Sequence, residues 1–250
     1  EVTGNVTTGF AVKAEGDIIV NGVVEGATLI SGGNIVLKRG MQGMDRGMLQ
    51  AEGNITAKFL ENCKVRCKGM LKADAILHSD VECQENVDIL GKKGLINGGS
   101  LSTYADVHAT TLGSTMGAST KIKIISDKEL IIRANEIKAE VENKEETLQK
   151  IDEVVNRVKG QLASNQEVLP EQMNYLKQAT VNKPLLVKQI RELREEREKL
   201  LVRIEKNKHS CIRVEGAVYS GIDITVKDVS KVQHEQVSHC RFVRDGADVR

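Results

Sequence analysis

The chain has 250 residues, with 36 Lys+Arg against 35 Asp+Glu and a formal net charge of +1. That balance gives no basic excess for counterion release, so a nucleic-acid-binding surface is not expected. Only 3 Phe, 3 Tyr and no Trp are present, which disfavours a sugar-stacking cleft or a base-stacking platform. Five Cys without a disulfide-framework spacing fit a reduced, cytoplasmic chain. No apolar run is long enough to insert in a membrane. The start, EVTGNVTTGF, carries neither a basic nor an apolar leader, so no export signal is read there. Because the chain does not open on Met, it is expected to be part of a longer protein.

Glycine and charge divide the chain in opposite ways. Of 22 Gly, eighteen lie in 1–126, three in 210–250 and only Gly160 between. Residues 127–209 carry 33 of the 71 charged residues. Gly marks turns and is disfavoured in helices. The pattern predicts a β unit over 1–126, a helical insertion over 127–209 and a closing β segment over 210–250.

The first unit repeats. Gly4-Asn5-Val6, Gly16-Asp17-Ile18, Gly33-Asn34-Ile35 and Gly53-Asn54-Ile55 each open a short alternating strand, at intervals of 12, 17 and 20 residues. Gly69-Met70-Leu71 follows after 16 more. Gly-Asn and Gly-Asp tolerate left-handed backbone and read as corners. Irregular repeats of this length predict a solenoid with a narrow core of small aliphatic residues. Ile18, Val24, Ile30 and Val36 share the six-residue spacing of left-handed hexapeptide helices, but the run fails at Gln42, Asn54 and Arg66. Variable coil lengths fit a right-handed, single-stranded parallel β-helix. Cys63 and Cys67 alternate inward, with Cys83 a candidate to stack above them. Their spacing suits packing rather than zinc, which favours a Cys-x-x-Cys pair at a turn.

Lys92 and Lys93 stand between Gly91 and Gly94. Gly-rich backbone with lysines can cradle an anion, but no Gly-Lys-Ser/Thr follows, so an exposed corner is the reading. Asn97-Gly98-Gly99 reads as another corner. Asp74, Asp80 and Asp88 lie close in sequence, without a motif for acid/base work on sugars. His234, His239 and Cys240 are read as a solvated tail rather than a metal site. No cofactor site is read.

In the insertion, Leu130, Ala134, Ile137, Val141, Lys144, Leu148, Ile151, Val155, Val158 and Leu162 follow an alternating 4-3 spacing. That is the a/d seam of a coiled coil. A second seam runs through Leu169, Leu176, Ala179, Leu186, Ile190, Leu193, Leu200 and Ile204, with gaps at Gln172, Lys183 and Arg197. Ser164-Asn165-Gln166 separates the two, and Pro170 suits a first helical turn. The prediction is an antiparallel coiled-coil hairpin with arms of roughly 57 Å. Residues 127–163 hold nine acids and seven bases, residues 170–208 six acids and ten bases, which favours the pairing. Pro184 is expected to kink or briefly break the second arm near Asn182-Lys183.

The strings Gly91-Lys92-Lys93-Gly94-Leu95-Ile96-Asn97-Gly98-Gly99, Thr111-Leu112-Gly113-Ser114 and Thr120-Lys121-Ile122 resemble the β-solenoid domain of the bacterial flagellar assembly protein A family. Ile76-Leu77-His78-Ser79-Asp80-Val81 and Val218-Tyr219-Ser220-Gly221-Ile222-Asp223-Ile224 are similar to it as well. The order of solenoid, helical hairpin and closing strands also matches. The resemblance implies a right-handed β-helix, a cytoplasmic location and a role in flagellar assembly or its regulation through protein partners. The expectation is therefore a non-catalytic scaffold. The alternatives are a self-assembling, bactofilin-like solenoid, in which copies join end to end, and a carbohydrate-active β-helix enzyme.

Overall fold

The computed structural model describes residues 1–164 and 169–250. It divides into two units, Glu1–Asp127 with Lys206–Arg250, and Lys128–Glu205. The first unit is a parallel β-solenoid of about six coils.

The early coils contain β1 (Ala11–Ala14), β2 (Ile18–Val20), β3 (Val23–Glu25), β4 (Thr28–Ser31) and the long β5 (Ile35–Ala51). Next come β6 (Ile55–Cys67), β7 (Leu71–Lys72), β8 (Ala75–Cys83), β9 (Val87–Ile89) and β10 (Leu95–Thr103). The strands β11 (Val107–Ala109), β12 (Thr111–Leu112) and β13 (Thr120–Ile124) precede the helices α1 (Lys128–Ala163) and α2 (Pro170–Asn207). After them come β14 (Ile212–Val218), β15 (Ile222–Val226), β16 (Val229–Gln233) and β17 (Val237–Phe242). The short β18 (Arg244–Asp245) and β19 (Asp248–Val249) form a separate antiparallel pair.

Stacking aligns one side chain per coil into interior columns. One column runs Ile18, Ile35, Ile55, Leu71, Val87, Val107, Ile212 and Phe242. A second runs Leu29, Leu49, Val65, Val81, Leu101, Ile122 and Ile224. All of these side chains are buried. Neighbouring strands lie about 4.8 Å apart, so each column has room for one aliphatic residue per layer. That spacing accounts for a core of Ile, Leu and Val with almost no aromatic residue.

The Gly-Asn corners work through space rather than through left-handed backbone. Gly33, Gly53 and Gly69 are absent from the positive-φ residues. Instead, Asp17 Oδ1 accepts from Asn34 N at 2.6 Å, Asn34 Oδ1 from Asn54 N at 2.8 Å, and Asn54 Oδ1 from Met70 N at 2.8 Å. A Cβ on Gly33, Gly53 or Gly69 would come within 2.3, 2.6 or 2.4 Å of the oxygen below. The glycine of one coil thus leaves room for the carboxyl or amide oxygen that ties it to the coil beneath. Positive φ collects elsewhere, at Asn62, His78 and Gly98 in successive coils. Asn97-Gly98-Gly99 makes such a bend, with positive φ at both Gly98 and Gly99. It lies within β10, which keeps its parallel register across the bend.

The closing segment changes direction. β14 and β15 continue the parallel stack, but β16 pairs antiparallel with β15, and β17 antiparallel with β14. The columns end there on Phe242 and on Lys231, the partner of Ile224. Charged, antiparallel edge strands oppose further pairing. His239 and Cys240 sit in β17 rather than in a solvated tail, and Cys240 packs against the core.

Candidate functional site

Unit Lys128–Glu205 is the antiparallel helical pair. Arg133 binds Glu196 at 3.0 Å, Lys144 Nζ donates to Gln189 Oε1 at 3.2 Å, and Lys183 pairs with Asp152. Arg194 pairs with Glu145. From Arg133 through Lys144 to Asp152 along α1, the partners on α2 descend from Glu196 through Gln189 to Lys183, as opposed chain directions require.

Burial follows the 4-3 spacing. In α1, Ala134, Ile137, Val141 and Val158 are buried, while Leu130, Leu148, Ile151 and Val155 are half-buried. In α2, Ala179 and Ile190 are buried, while Leu176, Leu186, Leu193, Leu200 and Ile204 are half-buried. Ile137, Val141 and Ile190 form the centre, with Leu148, Leu186, Leu193 and Leu200 packed on it. The outermost seam residues are exposed, Leu162 at 45% and Leu169 at 64%. Of the separating segment, Asn165 and Gln166 lie outside the described residues. At the start of α2 the Gln172 side chain accepts from the Leu169 N–H at 3.1 Å, occupying a donor the helix leaves open.

Three polar seam positions have cross-arm partners: Lys144 with Gln189, Lys183 with Asp152, and Arg197, whose Nε donates to the Ala134 carbonyl at 3.3 Å. Polar residues on a seam cost stability but specify register. The expected break at Asn182-Lys183-Pro184 is absent, for α2 runs unbroken through Pro184. The proline faces solvent, where water can serve the carbonyl that its missing N–H leaves free. Packing on both sides of it sustains the helix.

Further apolar side chains lie off the seam and in solvent. By the register of the pairs above, Ile131 and Ile132 sit level with Leu201 and Val202. They are 44%, 57%, 41% and 64% exposed. Val181 and Leu185 are exposed further along α2.

In the solenoid, Gly91, Lys92 and Lys93 are exposed, Gly94 is buried, and Gly98 and Gly99 are the bend of β10. Asp80 accepts from Ser100 Oγ at 2.7 Å and lies apart from Asp74 and Asp88. Asp74 and Asp88 share a cavity of about 300 Å³ with Lys72 and Leu90, without an aromatic wall, and Asp88 lies 3.3 Å from His108. Among the described residues no group of three or more His, Cys, Asp or Glu could hold a metal.

Cys63, Cys67 and Cys83 are all buried. Cys83 stacks on Cys67, whereas Cys63 meets Ser79 at 3.6 Å. The Cys67 and Cys83 thiols donate to the Gly53 and Gly69 carbonyls at 3.3 and 3.1 Å. Ser31 and Thr103, in the same column, likewise donate to Gly16 and Glu85 carbonyls. Small polar side chains thus satisfy carbonyls at this corner. Burial pushes the Cys63 thiol up to about 11. The hydrogen bond to Cys67, followed by burial, pushes the Cys83 thiol up as well. At neutral pH the Cys63 thiolate fraction falls about 100-fold below that of a free cysteine. A maleimide reagent is therefore expected to label Cys63 about 100 times more slowly in the folded protein than after denaturation. The rate should climb with pH toward 11. Labelling at the unfolded rate would remove Cys63 from the core.

The family model of the flagellar assembly protein A β-solenoid domain matches residues 1–249. The chain belongs to that family. No curated protein and no solved structure matches it. The match extends from the first coils to the closing strands. No described helix is long and apolar enough to cross a membrane.

Proposed function

We propose that this flagellar assembly protein A family member is a non-catalytic adaptor of the bacterial cytoplasm. In this reading the solenoid is a rigid body, and the hairpin is a coiled-coil docking arm for a protein partner in flagellar assembly or its regulation. The observation that carries the proposal is the exposure of four apolar side chains at one level of the arms, Ile131, Ile132, Leu201 and Val202. The seam is already filled, so these residues contribute little to the pairing and are left available to a partner that wraps the arms. The antiparallel cap on the last coil weighs against a bactofilin-like filament, which needs two open ends. The scarcity of aromatic residues around the paired carboxylates weighs against sugar chemistry.

The test is the double variant Ile132→Asp, Val202→Asp, compared with the unaltered chain as bait in the cell's own extract. Helix content should stay within a few per cent, because neither side chain lies on the seam. The partner recovered by the unaltered chain should drop at least tenfold, about 1.4 kcal/mol of lost contact. Undiminished recovery would move the docking surface off this band.

A further inference from the structure

Cys67 and Cys83 are the last residues of β6 and β8, and the parallel register makes them partners in adjacent coils. Neighbouring strands lie about 4.8 Å apart, and a disulfide spans Cα atoms roughly 4.4–6.8 Å apart. Both side chains point inward and are buried. The two thiols are hydrogen-bonded to each other. A bend follows each cysteine, at Lys68-Gly69 and at Gln84-Glu85, so drawing the sulfurs together need not shift a continuing strand.

Three observations separate this pair from an inert core contact. First, a cavity of about 430 Å³ in the solenoid unit is lined by both cysteines, with Gln50, Arg66, Lys68 and Tyr104 among its other walls. It gives a small reactant a route to the sulfurs. The exposed ion pairs Arg66–Glu82 and Lys68–Glu52 along it balance, so nothing there selects a charged reactant. Second, the two thiols are unequal. The hydrogen bond from Cys83 holds the Cys67 thiol below its ordinary value against the effect of burial, and hydrogen bonds from the backbone at Ile55 and Gly69 act the same way. Once Cys67 is charged, the Cys83 S–H can serve it instead of the Gly69 carbonyl. One sulfur is thus poised as a thiolate while its neighbour keeps a proton. Third, Cys63 in the same strand supplies the contrast. Its neighbour is the Ser79 hydroxyl, its thiol is pushed up to about 11, and it does not line this cavity.

We propose that Cys67 and Cys83 are a dithiol that a small hydroperoxide oxidises to a disulfide between two consecutive coils. The Cys67 thiolate attacks one peroxide oxygen and the O–O bond breaks. The departing oxygen takes up a proton and leaves as water, or as an alcohol from an organic hydroperoxide, and Cys67 becomes a sulfenic acid. The Cys83 sulfur then attacks the Cys67 sulfur. The S–O bond breaks, and the hydroxyl leaves with the Cys83 proton as a further water. The two thiols give up two hydrogens and two electrons, and the peroxide is reduced. An external thiol restores the pair by exchange. The sulfurs start as hydrogen-bonded neighbours, so the bond closes without moving either coil past the other.

The experiment treats the whole folded chain with hydrogen peroxide, blocks the remaining thiols after denaturation and maps the products by mass spectrometry. One peptide pair joined through Cys67 and Cys83 is expected, reversed by dithiothreitol and formed at least about tenfold faster than any oxidation of Cys63. In Cys83→Ser the reaction should stop at the Cys67 sulfenic acid, which dimedone traps. Cys67→Ser should leave Cys83 reduced. Serine suits this corner, because Ser31 and Thr103 stand in the same column and donate to carbonyls there. Should circular dichroism show either serine variant unfolded, alanine at that position makes the same test. Cys67 and Cys83 left unchanged by peroxide that consumes free cysteine would overturn the proposal. Oxidation of Cys63 at an equal rate would overturn it as well, by making unfolding the route of access. So would bonds scrambled among the three sulfurs, or a Cys83→Ser chain that traps no sulfenic acid.

Discussion

Replacing Gly99 by Ala is expected to destabilise the solenoid by about 3 kcal/mol, the combined cost of a left-handed non-glycine residue and an overpacked site. Gly99 has φ +84°, and a Cβ there would stand 2.3 Å from the Ser79 carbonyl oxygen. That oxygen belongs to backbone in the coil below, which is locked by the parallel register of β8 with β10. Moving it would disturb β6 beneath as well. Thr120 pairs with Gly99 from above, so the strand cannot shift that way freely. For a chain of this size the loss corresponds to a fall in Tm of about 6–12 °C. Gly117→Ala separates the two contributions. Gly117 has φ +68° but nothing within 4 Å of the added carbon. Only the backbone cost, about 1–2 kcal/mol, applies there. Equal losses at the two positions would show that the contact with Ser79 relaxes without cost.

That comparison bears on what the amino-acid order can reveal. The recurrent Gly-Asn pairs are a local signal, and they mark the coils because each corner carries its own hydrogen-bonding oxygen. The reason for their glycine is not local. It depends on Asp17, Asn34 and Asn54 standing one coil below, at separations of 16 to 20 residues. The same limit hid the cap. β14 and β16 are both short alternating strands, and nothing in either sequence says that one runs parallel and the other antiparallel to its neighbour. The helical pair was easier, because a seam with a 4-3 period is written within each arm. Its polar positions were less readable, since Lys144 finds Gln189 and Lys183 finds Asp152 only once the arms are paired. Pro184 misled for a related reason. Propensity is a local preference, and packing along both arms outweighed it.

Ile137→Asp is expected to separate the helical arms while the solenoid keeps its fold. Ile137 is fully buried and packs against Val141 and Ile190 at the centre of the hairpin. Arg197, the seam cation of the neighbouring turn, is already engaged with the Ala134 carbonyl, so a carboxylate there would lose its water without a free partner. Leaving a charge buried without a partner costs about 3–5 kcal/mol. Two helices that share one narrow seam hold little more than that, so the arms part and the carboxylate regains solvent. The half-buried Ile151 would give a milder effect, because an Asp there can reach water without disrupting the pair. Once parted, α1 and α2 lose the packed face that sustains most helical structure in proteins. Ellipticity at 222 nm should then drop by roughly half or more, with a β spectrum remaining, because the two long helices contribute nearly all the helical signal. The solenoid columns contain no residue of the hairpin, and their melting transition should persist. The variant also decides what the hairpin is for. With protein level unchanged, loss of swimming in cells that carry only Ile137→Asp would place the partner contact on the arms. Normal swimming with melted arms would reduce the hairpin to a spacer and move the partner to the solenoid.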